Sequence, residues 1–191
     1  LWSWGWNIWG TLGDGGTTER HSPVQVGTGI TSVTGGYGHT IALKSDGSLW
    51  AWGYNGAGTV GDGTTIDRNA PVQIQTGTTY TAIAAGSFHS LAIKTDGTLW
   101  AWGGNSNGQL GVGSSDASVH PTPVQIGTGY ISVAAGESQS FGIKSDGSLD
   151  AVEVRRSSGH QILDRAAERI VNMASPYADF PANIKRDTDI L

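Results

Sequence analysis

Apolar and polar residues alternate along this chain in short runs, and the runs return at a fixed interval. In the middle copy the first run is Tyr80-Thr81-Ala82-Ile83-Ala84-Ala85, stopped by Gly86. The second, His89-Ser90-Leu91-Ala92-Ile93-Lys94, alternates, and the turn Thr95-Asp96-Gly97-Thr98 follows it. Alternation with a period of two predicts strands, and Asp-Gly between alternating runs predicts a hairpin. A third run, Leu99 to Gly103, leads through a glycine-rich loop to the fourth, Pro123-Val124-Gln125-Ile126. Its equivalents, Pro23-Val24-Gln25-Val26 and Pro71-Val72-Gln73-Ile74, also begin with proline. Proline is tolerated at the start or edge of a sheet strand, so this run is expected on the outer edge.

The marker Lys-Ser/Thr-Asp-Gly-Ser/Thr-Leu begins at Lys44, Lys94 and Lys144, an interval of 50 residues each time. Four strands in a period of about 40–50 residues are the mark of a β-propeller blade. No window before Asp150 carries helical apolar spacing, which excludes a helical repeat. The fold class read from the pattern is mainly β: a partial propeller of about three blades, each a four-stranded repeat. The repeats fall at about 1–48, 49–98 and 99–149, and a short strand-helix segment closes the chain.

The third run has its own logic. Leu49-Trp50-Ala51-Trp52-Gly53 returns as Leu99-Trp100-Ala101-Trp102-Gly103 and, altered, as Leu1-Trp2-Ser3-Trp4-Gly5. As a strand it places both tryptophans of a pair on one face and the small residues on the other. Each indole buries about 150–250 Å². The pair therefore reads as core tryptophans between stacked sheets, with an exposed aromatic binding face as the alternative.

The loop after the tryptophan strand is the second repeated feature. It reads Asn105-Ser106-Asn107-Gly108-Gln109-Leu110-Gly111-Val112-Gly113, with partners at 55–63 and 7–15. The order strand, His-Ser/Thr, alternating strand, Asp-Gly turn, Leu-Trp-Ala-Trp-Gly, Asn-x-x-Gly-Gln-Leu-Gly-x-Gly and Pro-Val resembles the regulator-of-chromosome-condensation repeat over residues 1–149. Two departures stand out: Thr11 and Thr59 replace the glutamine kept at Gln109, and Gln139 stands where His39 and His89 stand. The repeat motif is thus carried by Trp50, Trp52, Gly53, Trp100, Trp102, Gly103, His39 and His89. Propellers of that family have seven blades. About three repeats leave sheet edges unpaired, and open edges invite self-association. A chain that begins inside a repeat is expected to be a fragment.

After Leu149 the pattern breaks, with Asp150-Ala151-Val152-Glu153 where Trp-Ala-Trp-Gly is due. Val152 to Arg156 alternates like a short strand. Ile162, Leu163, Ala166, Ala167, Ile170, Val171 and Ala174 then fall on one helical face, with serines to cap its start and Pro176 to end it. Ser157, Ser158, Gly159, Leu163, Asp164, Ala166, Ala167, Pro176, Tyr177, Phe180 and Pro181 resemble the C-terminal domain of TonB-type energy transducers. The resemblance implies a truncated β-α-β-β domain over 150–191, a periplasmic grip on outer-membrane transporters, and a bacterial envelope or extracellular address. The stretch Asp146-Gly147-Ser148-Leu149 suits either pattern, so the join reads equally as a natural fusion, a recombinant or a mis-joined sequence.

Composition narrows the chemistry. The formal net charge of −5 argues against nucleic acid and anionic membrane as partners. The 30 glycines are about twice the usual share and, within a period, mean tight turns. No cysteine is present, so disulfide and thiolate chemistry are excluded. No stretch is long and apolar enough to span a bilayer. Gly13-Asp14-Gly15 and Gly61-Asp62-Gly63 hint at calcium, but each offers one carboxylate and Val112 replaces it in the third copy; a calcium loop needs several oxygens. His39 and His89, repeated before a strand, read as structural, each bonding a backbone carbonyl at the blade edge. His21, His120 and His160 have no repeat partner and read as surface residues. Neither a nucleophile elbow nor a phosphate cradle is present. The expectation is no catalytic residue, no cofactor and no metal.

The residues point first to a non-catalytic protein–protein interaction module that binds a protein partner through its blade loops. A TonB-like energy-transducing or tethering protein of the envelope, docking an outer-membrane transporter, is the alternative that the tail implies. Guanine nucleotide exchange on a small GTPase is the further alternative that the repeat family implies; the missing basic arm counts against chromatin.

Overall fold

The computed structural model describes residues 1–145 and the backbone of 149–150. Among the described residues thirteen strands follow one another. They are β1 (Trp2–Gly5), β2 (Arg20–Gln25), β3 (Ile30–Gly35), β4 (His39–Lys44), β5 (Leu49–Gly53), β6 (Arg68–Ile74) and β7 (Tyr80–Ala85). Then come β8 (His89–Lys94), β9 (Leu99–Gly104), β10 (Val119–Gly127), β11 (Tyr130–Ala135), β12 (Ser140–Lys144) and β13 (Leu149–Asp150). They form two four-stranded sheets, β3-β4-β5-β6 and β7-β8-β9-β10, flanked in sequence by the pair β1-β2 and the triple β11-β12-β13. Every pairing among the described residues is antiparallel and joins consecutive strands.

The proline runs take the outer edge, as the sequence implies, because a missing N–H is harmless where no neighbour needs it. They are longer than the motif: β10 starts at Val119 and pairs His120 with Gly103 before its register shifts past Pro121 and Pro123 to Val124 opposite Ala101. A bulge absorbs the prolines and lets the strand continue on both sides.

Neighbouring sheets meet near their first strands, β3 and β4 against β7, then β7 and β8 against β11, which is how blades set side by side. The alternation explains the filling. One core places Ile41, Leu43, Leu49, Ala51, Val60 and Ile74 against Tyr80, Ala92 and Trp102 of the next sheet. The second places Leu91, Ile93, Leu99, Ala101 and Leu110 against Tyr130. β8 is buried along its whole length except at its end lysine, and β4 except at Thr40 and its end lysine.

The helix expected within 160–174, the strand expected over 152–156, and Ser157, Ser158, Gly159, Leu163, Asp164, Pro176, Tyr177 and Pro181 all lie outside the described residues.

Candidate functional site

The repeated residues converge on the junctions between sheets. Trp52 and Trp102 are buried, at 1% and 0% exposure. The Trp102 indole N–H donates to the Thr59 carbonyl at 2.8 Å, and Trp52 donates to the Thr11 carbonyl at 2.8 Å. The same two carbonyls accept a hydroxyl from the next sheet: Ser90 Oγ bonds Thr59 O at 2.9 Å and Thr40 Oγ1 bonds Thr11 O at 2.9 Å. At the third junction Ser140 Oγ bonds Gln109 O at 2.6 Å. Here position 152, which would hold the next tryptophan, is valine. A backbone oxygen makes the contact at all three junctions. The junction contact is therefore kept where Thr11 and Thr59 replace glutamine.

The two histidines complete the latch. His39 Nε2 lies 2.9 Å from Ser90 Oγ, and His89 Nε2 lies 2.9 Å from Ser140 Oγ. Each serine spends its one proton on a carbonyl, so it must accept from the imidazole; both rings are therefore protonated at Nε2. The closest partner of each ring is a buried serine hydroxyl of the next sheet, and the Gln139 backbone of that sheet adds to it at His89. Both rings are fully buried, and His39 Nδ1 has no partner among the described residues. Burial, with repulsion from His89, holds His39 down to about 3. Burial holds His89 down to about 4 against the opposing pull of the Gln139 backbone. These are structural imidazoles, neutral at any ordinary pH.

Trp50 and Trp100 share a face with Trp52 and Trp102 but not their depth. They are only half-buried, at the Asp-Gly end of the strand. Their indole N–H groups donate to Ser48 and Thr98, which are themselves held by Asp46 and Asp96. Lys44 and Lys94 sit 3.8 and 3.5 Å from the ring centroids. The core reading therefore needs correcting for these two: they are cation-capped surface rings. Trp2 and Trp4, 57% and 59% exposed, belong to the two-stranded sheet. Gly53 and Gly103 hold φ of 99° and 108°. A Cβ on Gly53 would sit 2.4 Å from the Gly38 carbonyl, so glycine is required where the strand turns into its loop.

Asn7, Asn55 and Asn105 are wholly buried and pin those loops. Asn55 Oδ1 accepts from Val60 N at 2.9 Å, while its amide donates to the carbonyls of Thr64 and Ile66 at 2.9 and 3.1 Å. Asp14 and Asp62 bond the asparagine amides and pair with Arg20 and Arg68, each at 2.5 Å. In the third copy, where Val112 replaces the aspartate, Asp116 bonds Asn105 and His120 instead. Asn55→Ala strands one buried N–H and two carbonyls. The expected loss is about 2–3 kcal/mol, read by urea unfolding, with faster hydrogen exchange at Val60 N–H.

These loops carry a feature that sequence reading passed over. Trp6 and Trp9 from the β1–β2 loop, Tyr37 from the β3–β4 turn, Tyr54 after β5 and Phe88 from the β7–β8 turn form a continuous strip. Ring centroids lie 4.7 Å apart for Trp6–Trp9, 5.8 Å for Trp9–Tyr37, 5.0 Å for Trp9–Tyr54 and 5.5 Å for Tyr37–Phe88. Trp6, Tyr37 and Phe88 remain 48%, 59% and 42% exposed. Comparing the copies reveals the signal: Tyr37 corresponds to Ser87 and Glu137, Phe88 to Gly38 and Ser138, and Trp6 and Tyr54 to Gly104. The scaffold forms without an aromatic at any of these places.

Meandering sheets that meet near their first strands and are tied by buried tryptophan, serine and histidine define a propeller-type repeat protein. The regulator of chromosome condensation (RCC1) repeat model matches residues 1–43, 46–93 and 96–143, and a second model of that repeat matches 30–59 and 80–109; the chain belongs to this repeat family. The Gram-negative bacterial TonB protein C-terminal model matches residues 138–190, overlapping the last repeat. Among solved structures, human WBSCR16 is similar at 19% identity over 74% of this chain and 39% of its own, with a TM-score of 0.63. Prp20p from Saccharomyces cerevisiae, in a structure titled with its binding to Gsp1p and histones, is 22% identical over 91% of this chain and 42% of its own, with a TM-score of 0.63. Yeast RCC1 (Prp20) bound to Kap60 gives 23%, 78% and 38%, also with a TM-score of 0.63. This chain spans about two fifths of the length of these proteins. No curated protein matches it.

Proposed function

We propose that the repeats over residues 1–149 are a non-catalytic protein–protein interaction module. The observation that carries the reading is the aromatic strip. Five rings are set on loops at one sheet end, held by a rigid hydrogen-bonded scaffold, at positions the repeat itself does not need filled. A partner-bound structure of a family member, yeast RCC1 with Kap60, fits the same use. Exchange catalysis in the manner of the family's founder is the rival within this class. The test is a pair of assays on the intact chain: affinity capture with cross-linking, and nucleotide exchange on a small GTPase. A stoichiometric partner with no acceleration of exchange is expected; catalysed exchange would overturn the non-catalytic reading.

A second reading is favoured by the TonB C-terminal match at 138–190. In it, residues 150–191 are a separate TonB C-terminal-like segment that tethers the repeats to an outer-membrane transporter in the bacterial envelope. Capture of such a transporter from an envelope extract, lost on removal of 156–191, is its expected result.

A further inference from the structure

We infer that the aromatic strip and the recess beside it form a binding site for an arginine- or lysine-bearing linear segment of a partner protein. The inference rests on the interaction reading above and gives it a location and a chemistry. The recess is lined by three equivalent turns, Gly35–Tyr37, Ala85–Ser87 and Ala135–Glu137. Its walls are small residues and backbone, with the Tyr37 ring on one turn and the exposed Glu137 carboxylate on another. A carboxylate residue and an electron-rich ring residue lining one recess attract the same thing, a cationic side chain. Tyr37 then continues the cleft into Trp9, Tyr54 and Phe88, a surface on which an extended backbone or a guanidinium plane can stack.

The charge distribution agrees. The described residues hold five lysines and arginines, and none is available at this site. Lys44, Lys94 and Lys144 lie at the far ends of β4, β8 and β12, each over an aromatic ring. Arg20 and Arg68 are paired with Asp14 and Asp62. Glu137, by contrast, has no side-chain partner among the described residues, only its backbone carbonyl accepting from Ser87 N–H. A recess lined by a carboxylate and a ring, with no lysine or arginine among its lining residues, is complementary to added positive charge. The strip is also accommodated locally: a Cβ on Gly38 would lie 2.5 Å from the Trp9 ring. Where Trp9 is replaced by Ala57 or Asn107, the Gly38 position holds Phe88 or Ser138.

The test is fluorescence anisotropy with the full chain and a labelled decapeptide of three arginines spaced by glycine and proline, against the same peptide with glutamine for arginine. The arginine peptide is expected to bind at least about tenfold more tightly. Glu137→Gln and Tyr37→Ala should each weaken it about five- to tenfold. Tyr37→Phe, which keeps the ring should the alanine variant fold poorly, should bind like the parent, as should Asp96→Asn at the opposite hairpin end. Equal affinity for the two peptides, an unchanged Glu137→Gln, or binding of a neutral hexasaccharide in place of the arginine peptide would overturn the site. A natural protein partner retained by the Tyr37→Ala, Glu137→Gln double variant would overturn this site while leaving the interaction reading intact.

Discussion

Trp102→Ala is expected to cost about 3–5 kcal/mol, the range for deleting a fully buried large aromatic. The ring has no exposure and packs across the sheet junction among Ile41, Leu49, Val60 and Tyr80. Its loss leaves a cavity that two hydrogen-bonded sheets cannot collapse to fill, and it removes one of the two donors to the Thr59 carbonyl. Trp100→Ala, two residues away on the same strand face, should cost only about 1 kcal/mol. That ring is half-exposed, and what it loses is mainly a lysine contact worth about 0.5–1 kcal/mol. Urea unfolding of the two variants side by side is the measurement. Equal losses would mean that the indole–carbonyl junction does not hold the sheets together.

Mild acid is expected to destabilise the protein by about 4 kcal/mol between pH 7 and pH 5. His39 and His89 are held down to about 3 and about 4 by burial, against about 6.5 in the unfolded chain. Below pH 6.5 the unfolded state therefore binds protons that the folded state refuses, so stability falls as pH falls. It is flat above that value. At pH 5 the solution is about 1.5 units below each histidine's unfolded value, which removes about 2 kcal/mol of stability per histidine. The aspartates that pin turns and loops, Asp46, Asp62 and Asp96 among them, have their carboxyls shifted below the usual range. They contribute only in stronger acid, so the window from 6.5 to 5 belongs to the histidines. Chemical unfolding at pH 7.5, 6 and 5 gives the slope. His39→Gln should roughly halve it, whatever it does to the stability at pH 7.5; an unaltered slope would show that His39 does not stay neutral in the fold.

The strand order, the hairpins and the outer position of the proline runs were legible from the chain because each rests on a local signal: alternation, Asp-Gly, a missing N–H. The depth of the tryptophans was not. Alternation says that Trp100 and Trp102 share a face; it does not say that a neighbouring loop covers one and leaves the other to Lys94. The histidine partners were hidden for the same reason, since Ser90 lies 51 residues from His39 and only the stacking of sheets brings them together. The aromatic strip was hidden differently. Its residues sit on turns, and a search for what repeats passes over Tyr37, Trp9 and Phe88 because they do not. Subtracting the repeat from itself would have found them, because they are what one copy has and the scaffold does not need.

The aromatic strip and the hairpin end lie at opposite ends of the sheets, so a partner can be assigned to one or the other. A benzophenone amino acid placed at Tyr37 keeps an aromatic group in the strip; the same group at Ser45 samples the opposite, hairpin end, where Lys44 caps Trp50. Photo-cross-linking of the two proteins in an extract, with the attached peptides sequenced, reports which end meets a partner. Efficient attachment of one protein at position 37 through a lysine- or arginine-containing peptide, and little at position 45, is the expected result. Attachment of the partner at position 45 alone, or equally at both, would contradict a binding surface built from the loops of the blades.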